Sequence, residues 1–115
     1  MREFDTGATR GSEEAKYDYE GFISPSVLER YAAYMHTHRT QADGHSRDSD
    51  NWQKGMSQSS YIKSLVRHTM DFWRVCRGGE AIDIESGLPV TKEELACAIL
   101  FNIMGWLHEE LKDGR

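Results

Sequence analysis

Thirteen consecutive residues, Leu95–Leu107, are apolar at every position except Asn102. As a helix this run has no face to give to water. It must therefore be the central helix of a bundle, or be closed off in a dimer interface. It is too short to cross a bilayer, which takes about 20 residues. Burying an unpaired amide costs about 1–3 kcal/mol, so Asn102 needs a partner. That partner is a backbone group, another side chain or a ligand. Upstream, Thr91-Lys92-Glu93-Glu94 has the form of a capping box, so the helix is predicted to run from Thr91 to about Lys112.

Two more helices are predicted around this one. The first opens at Ser24-Pro25-Ser26, with Ser26 and Glu29 as its capping box and an apolar stripe at Leu28, Tyr31, Ala32 and Met35, and ends near Arg39. The second runs from about Ser60 to Arg77 and stops at Gly78-Gly79. Ile62, Leu65, Val66, Thr69, Trp73 and Cys76 fall within a narrow arc, which predicts its core face. With 115 residues the expectation is one domain, 1–115. Its fold class is all-α, a small bundle of three main helices plus long ordered loops, completed by oligomerisation. Residues 1–23 form an N-terminal arm with Tyr17, Tyr19 and Phe22 as candidate anchors. Residues 40–58 are a long polar loop, and Trp52 in its middle argues for order and function.

Composition narrows the partners. The net charge is −5, and the fourteen basic residues are scattered among nineteen acids. That argues against duplex nucleic acid, which needs a clustered basic face. Cys76 and Cys97 both sit in apolar helical patterns and are expected as reduced core thiols. No apolar segment marks the N-terminus Met1–Asp5 as a signal peptide, and no membrane span is expected. The expected location is the cytoplasm, that of a host if the chain is viral.

Several side chains are candidates for chemistry. His68 and Asp71, spaced i, i+3, share one helical face, on the flank opposite the Ile62/Val66/Trp73 stripe and next to Ser64 and Val75. Such a pair can bind a divalent ion from one turn of helix, or simply face solvent. Glu80, Asp83 and Glu85 lie in a loop stiffened by glycine and proline. They suit a hard cation such as Mg²⁺, or form an acidic solvated loop anchored by Ile82, Ile84 and Leu88. Glu94 is either the capping carboxylate or a metal ligand. The chain has no glycine-rich phosphate loop, Cys-x-x-Cys, nucleophile elbow or His-Glu-x-x-His. A protein nucleophile has no support, whereas metal-activated water stays open.

Arg67-His68 with Asp71 and Trp73, then Gly79-Glu80, Asp83, Glu85-Ser86-Gly87-Leu88, Glu94, Ala98 and Asn102, resemble the phage-type dATP/dGTP diphosphohydrolase family. Phe4–Arg10, Lys16–Phe22, Ser24-Pro25 and Ser49–Gly55 fit the same pattern, so the resemblance covers nearly the whole chain. The family is similar to the MazG-type all-α nucleotide pyrophosphohydrolases.

The resemblance implies Mg²⁺-dependent (or Mn²⁺-dependent) attack of water on a purine deoxynucleoside triphosphate, giving the monophosphate and diphosphate. It implies His68, Asp71 and Glu94 as catalytic residues, and His68, Asp71, Glu80, Asp83 and Glu94 as metal ligands. Cys97 stands where MazG-type enzymes carry a carboxylate. Arg10, Lys16, Lys54 and Arg67 are candidates for phosphate oxygens, Trp52 for stacking on the purine, and Asn51 and Asn102 for further substrate contacts. A homodimer or higher homo-oligomer is implied as well. Two other readings stay open: a nucleotide-binding sponge that kept the pocket and lost catalysis, and a structural adaptor with no ligand.

Overall fold

The protein is described here from a computed structural model, which covers residues 2–3, 6–7, 9–11 and 15–112, with only the backbone at 2, 3, 9 and 10. Thr91 opens the last helix as expected. Its hydroxyl accepts the Glu94 N–H at 3.1 Å while the Glu94 carboxylate accepts the Thr91 N–H at 3.1 Å. This capping box starts α4, Lys92–Leu111. Ser57 opens the helix before it, α3, Gln58–Cys76, by accepting the Ser60 N–H. Earlier come a pair of two-residue antiparallel strands, β1 (Arg2–Glu3) and β2 (Thr9–Arg10), the single turn α1 (Tyr19–Phe22) and α2 (Pro25–Thr37). A 3₁₀ turn spans Asn51–Lys54. The architecture is all-α, with the short strand pair confined to the arm.

The cap of α2 differs from the expected one. Ser24, not Ser26, accepts the Val27 N–H, at 3.3 Å. Proline explains the difference: Pro25 occupies the first helical turn, where its missing N–H costs nothing, so the cap falls on the residue before it.

α3 and α4 lie along each other, and α2 packs against α4. Tyr61, at 2 % exposure, is the buried residue of α3. A Cβ on Gly105 would come within 2.3 Å of the Tyr61 ring, so the ring rests on backbone where only glycine leaves room. Phe101 meets Tyr61 edge-on at 5.9 Å between ring centroids. Leu95, Cys97, Ala98, Asn102 and Gly105 are the buried residues of α4. Its opposite side, with Leu100, Ile103, Met104, Leu107 and Leu111, is exposed in the single chain. The helix is central, and one side still lacks a cover.

The expected core face of α3 is the wrong one for this chain. Gln58, Tyr61, Ser64, Leu65, His68, Asp71, Phe72 and Val75 are its buried or half-buried positions, whereas Ile62, Val66, Thr69, Trp73 and Cys76 are exposed. Only Leu65 belongs to both sets. Apolar residues occur on two sides of α3, and Tyr61 against Gly105 decides which side meets α4. Cys76 is therefore not a core thiol; Cys97 is, and both are unpaired. The arm's candidate anchors fare likewise: Tyr17, Tyr19 and Phe22 are all exposed. In the loop between α3 and α4 the buried residue is Ala81, while Ile82, Leu88 and Ile84 (97 % exposed) are not anchors. No helix among the described residues is long and apolar enough to cross a membrane.

Candidate active site

α2, the loop after it, α3 and α4 enclose a cavity of about 500 Å³, within the range of small-molecule sites. Its apolar and aromatic wall comes from Met35, Trp52, Met56, Ala98 and Phe101. The helices supply Ser64, His68 and Asn102 as its polar groups. The end of α2 and the loop add His36, His38, Arg39, Arg47, Asp48 and Asn51.

Local folding explains how a polar loop reaches this position. Residues 39–47 form a small hairpin: Thr40 bridges Ser46, Arg47 N–H donates to Arg39 C=O at 2.8 Å, and Gln41 N–H donates to His45 C=O at 2.8 Å. Gly44, with φ of +85°, turns the tip in a conformation that side-chain-bearing residues avoid. The 3₁₀ turn then presents Trp52, whose ring meets His108 of α4 edge-on at 4.7 Å. The loop is ordered, and its tryptophan lines the cavity while leaning on α4.

Asn102 is 4 % exposed. Its amide donates to Ala98 C=O at 2.9 Å, four residues back. The backbone thus satisfies the donor, and no described residue pairs with the side-chain oxygen. His68 is half-buried, and its Nδ1 is buried with no hydrogen-bond partner. Burial, reinforced by the Arg67 charge and opposed by Asp71, lowers its pKa from the ordinary 6.5. The ring is therefore neutral at pH 7 and able to accept a proton. Burial also pushes the Tyr31 hydroxyl up to about 12 and raises the Cys97 thiol. Neither titrates near neutrality. The Cys97 thiol points at the Arg30 carbonyl, 4.0 Å away.

The sequence candidates divide between those the fold gathers and those it does not. His68, Asn51, Trp52 and Asn102 line the cavity. Arg67 is exposed beside it and donates to Ser64 at 3.0 Å. Asp71 accepts from Arg74 at 2.8 Å. Glu94 is engaged in the capping box. Asp83 holds its own turn, accepting from the Glu85 N–H and the Ser86 hydroxyl. Glu80, Lys16 and Lys54 are exposed and do not line the cavity. The Arg10 side chain lies outside the described residues. Arg39, Arg47, His36 and His38 are cavity residues that spacing did not reveal. The only hint in the sequence was that basic residues fall just before and inside the 40–58 loop.

A resident divalent metal would need several oxygen, nitrogen or sulfur donors at one point. Among the described residues, no three His, Cys, Asp or Glu side chains converge closely enough to hold an ion. Of the nominated carboxylates, Asp71, Glu94 and Asp83 are committed to an arginine, a helix cap and a turn, and Glu80 is exposed outside the cavity lining. Within one chain these residues do not fit a metal centre.

Fold and cavity together define a small all-α protein built around a pocket that is aromatic on its walls and cationic at the loop. The family model described as dATP/dGTP diphosphohydrolase, N-terminal, matches residues 6–115, and the chain belongs to that family. No curated protein and no solved structure matches it. The family's name points to diphosphohydrolase activity on a nucleotide.

Proposed function

We propose that this chain hydrolyses purine deoxynucleoside triphosphates, dGTP or dATP, to the monophosphate and diphosphate, with the nucleotide in the cavity between α2, α3 and α4. The observation that carries this reading is the cavity itself, which pairs an aromatic wall at Trp52 with guanidinium groups at Arg39 and Arg47. A purine nucleotide has the matching halves, a π-face and a string of phosphates. Water attacks the α-phosphorus and the α–β anhydride bond breaks. Neutral His68 accepts the proton that the attacking water gives up. Asn51 and Asn102 offer amides to the base or sugar.

Dependence on Mg²⁺ or Mn²⁺ belongs to this reading through the family resemblance. Among the described residues, the acids of one chain do not gather into an ion site. Self-association also belongs to it. Exposed apolar side chains run along α3 and α4, and the radius of gyration is 19.2 Å, against roughly 13 Å for a compact chain of about 100 residues. A homo-oligomer would cover those faces.

A second reading draws on that same dispersal of the acids, with Cys97 buried where MazG-type enzymes hold a carboxylate. In it the cavity binds a nucleotide without cleaving it. One experiment separates the two. The protein is incubated with each dNTP and Mg²⁺ or Mn²⁺, diphosphate is assayed, and the nucleotide is recovered after denaturation. The hydrolase releases diphosphate from dGTP or dATP and stops in EDTA. Intact recovered nucleotide selects the binder, and turnover that persists in EDTA removes the metal.

A further inference from the structure

The 39–47 hairpin brings two arginines to the cavity. Arg39 and Arg47 face each other across it, and each guanidinium spends an N–H on the opposite arm. Arg39 Nε donates to Arg47 C=O at 2.7 Å, and an Arg47 Nη donates to His38 C=O at 2.8 Å. A guanidinium has five N–H donors, so most remain uncommitted on both. Three other cations sit on carboxylates, Arg30 on Glu93, Arg74 on Asp71 and Lys112 on Glu109, whereas Arg67 donates to the Ser64 hydroxyl and Arg77 lies over the Trp73 ring, both outside the cavity lining. Arg39 and Arg47 meet no carboxylate among the described residues, although Asp48 borders the same cavity.

Both guanidiniums line the same cavity, and the neutral carbonyls that hold them leave each positive charge uncancelled. Planar guanidinium forks match phosphate oxygens in pairs of parallel hydrogen bonds. The hairpin bonds hold Arg39 at its Nε and Arg47 at one Nη, which reduces the ordering cost of binding. His36 and His38 border the same cavity.

We infer that the 39–47 hairpin is the polyphosphate clamp of the cavity, with Arg39 and Arg47 gripping the phosphates beyond the first. This rests on the nucleotide reading above and refines it, since it places the β- and γ-phosphates on the loop and not on Lys54 or Arg67. The clamp reads phosphate number and leaves the base to other groups.

Binding of dGTP, dGMP and deoxyguanosine is compared by calorimetry in the parent and in Arg39→Gln/Arg47→Gln. The expected result is a loss of about tenfold to a hundredfold for dGTP, set by two charge-assisted contacts. The affinity for deoxyguanosine should stay within about twofold, as no such contact is removed. Equal losses for both ligands, or an unchanged dGTP affinity, overturn the clamp. A second measurement avoids dependence on the variant's folding. The parent is treated with phenylglyoxal and arginine modification is mapped by mass spectrometry. Saturating dGTP should protect Arg39 and Arg47, whereas deoxyguanosine should not. Modification of both arginines at the same rate with bound dGTP overturns the assignment. If the parent binds none of the three ligands, the nucleotide reading itself fails and takes the clamp with it.

Discussion

α3 and α4 pack along each other, yet they use their apolar residues in opposite ways. α4 is apolar nearly all round, and it buries Leu95, Cys97, Ala98, Asn102 and Gly105 within the chain. α3 is the more amphipathic helix, with a clear apolar stripe at Ile62, Val66 and Trp73, and it leaves that stripe exposed. Its inner side is a mixed set, Tyr61, Ser64, Leu65, His68 and Phe72, chosen by fit to α4. A clean stripe shows where a helix wants cover. It does not show whether the cover belongs to the same chain.

The largest effects should come from breaking the inner side of this pair. Leu95→Ala removes a side chain that is 2 % exposed and should cost about 2–5 kcal/mol. Gly105→Ala forces a methyl group into the Tyr61 ring and should cost about 1–3 kcal/mol. Urea denaturation measures both. Parent-like stability in either variant would remove the α3–α4 contact from its place as the core.

The outer stripe should behave differently. Val66→Ser/Trp73→Ser should change the stability of the folded monomer by no more than about 0.5 kcal/mol per site, while abolishing self-association. Light scattering at micromolar concentration reads the outcome. A monomeric parent protein would refute the oligomer and leave the stripe unexplained.

His68 sharpens the comparison from within the interface. Burial lowers its pKa below the ordinary 6.5, so the folded state prefers the neutral ring. Its contribution to stability is full above pH 6.5 and is lost as pH falls through the lowered folded value. Between pH 7.5 and pH 5, the parent's Tm should therefore drop further than that of His68→Gln. Equal drops would show that His68 is solvated like a surface histidine.

The smallest stability effect is expected at Asp71, which is partly exposed and paired with Arg74. Asp71→Asn should cost no more than about 0.5 kcal/mol. Diphosphate release carries the functional question at this position. Full turnover in the folded variant would take Asp71 out of the metal ligands that the family resemblance implies.

The site was legible where chemistry is local. Asn102 stood out because an amide inside an apolar run must be paired, and Trp52 because a large aromatic in a polar loop needs a surface to lean on. Arg39 and Arg47 were not legible. Eight residues apart with no helical or strand period between them, they meet only because the hairpin closes on Gly44. Glu94 was open to two readings, and the capping geometry shows where its carboxylate sits.

What the sequence determined by itself is whatever short-range physics controls. That includes the α-helical class, the ends of α3 and α4 to within about two residues, the Thr91–Glu94 box and the centrality of Leu95–Leu107. Each depends on the 3.6-residue period, on caps a few residues apart or on the cost of wetting an apolar run. The tertiary structure decided which side of α3 faces inward, which cations reach the cavity and where the acids end up. Those outcomes depend on shape between distant residues, as when the ring of Tyr61 finds room only over Gly105, and no periodicity along the chain encodes that fit.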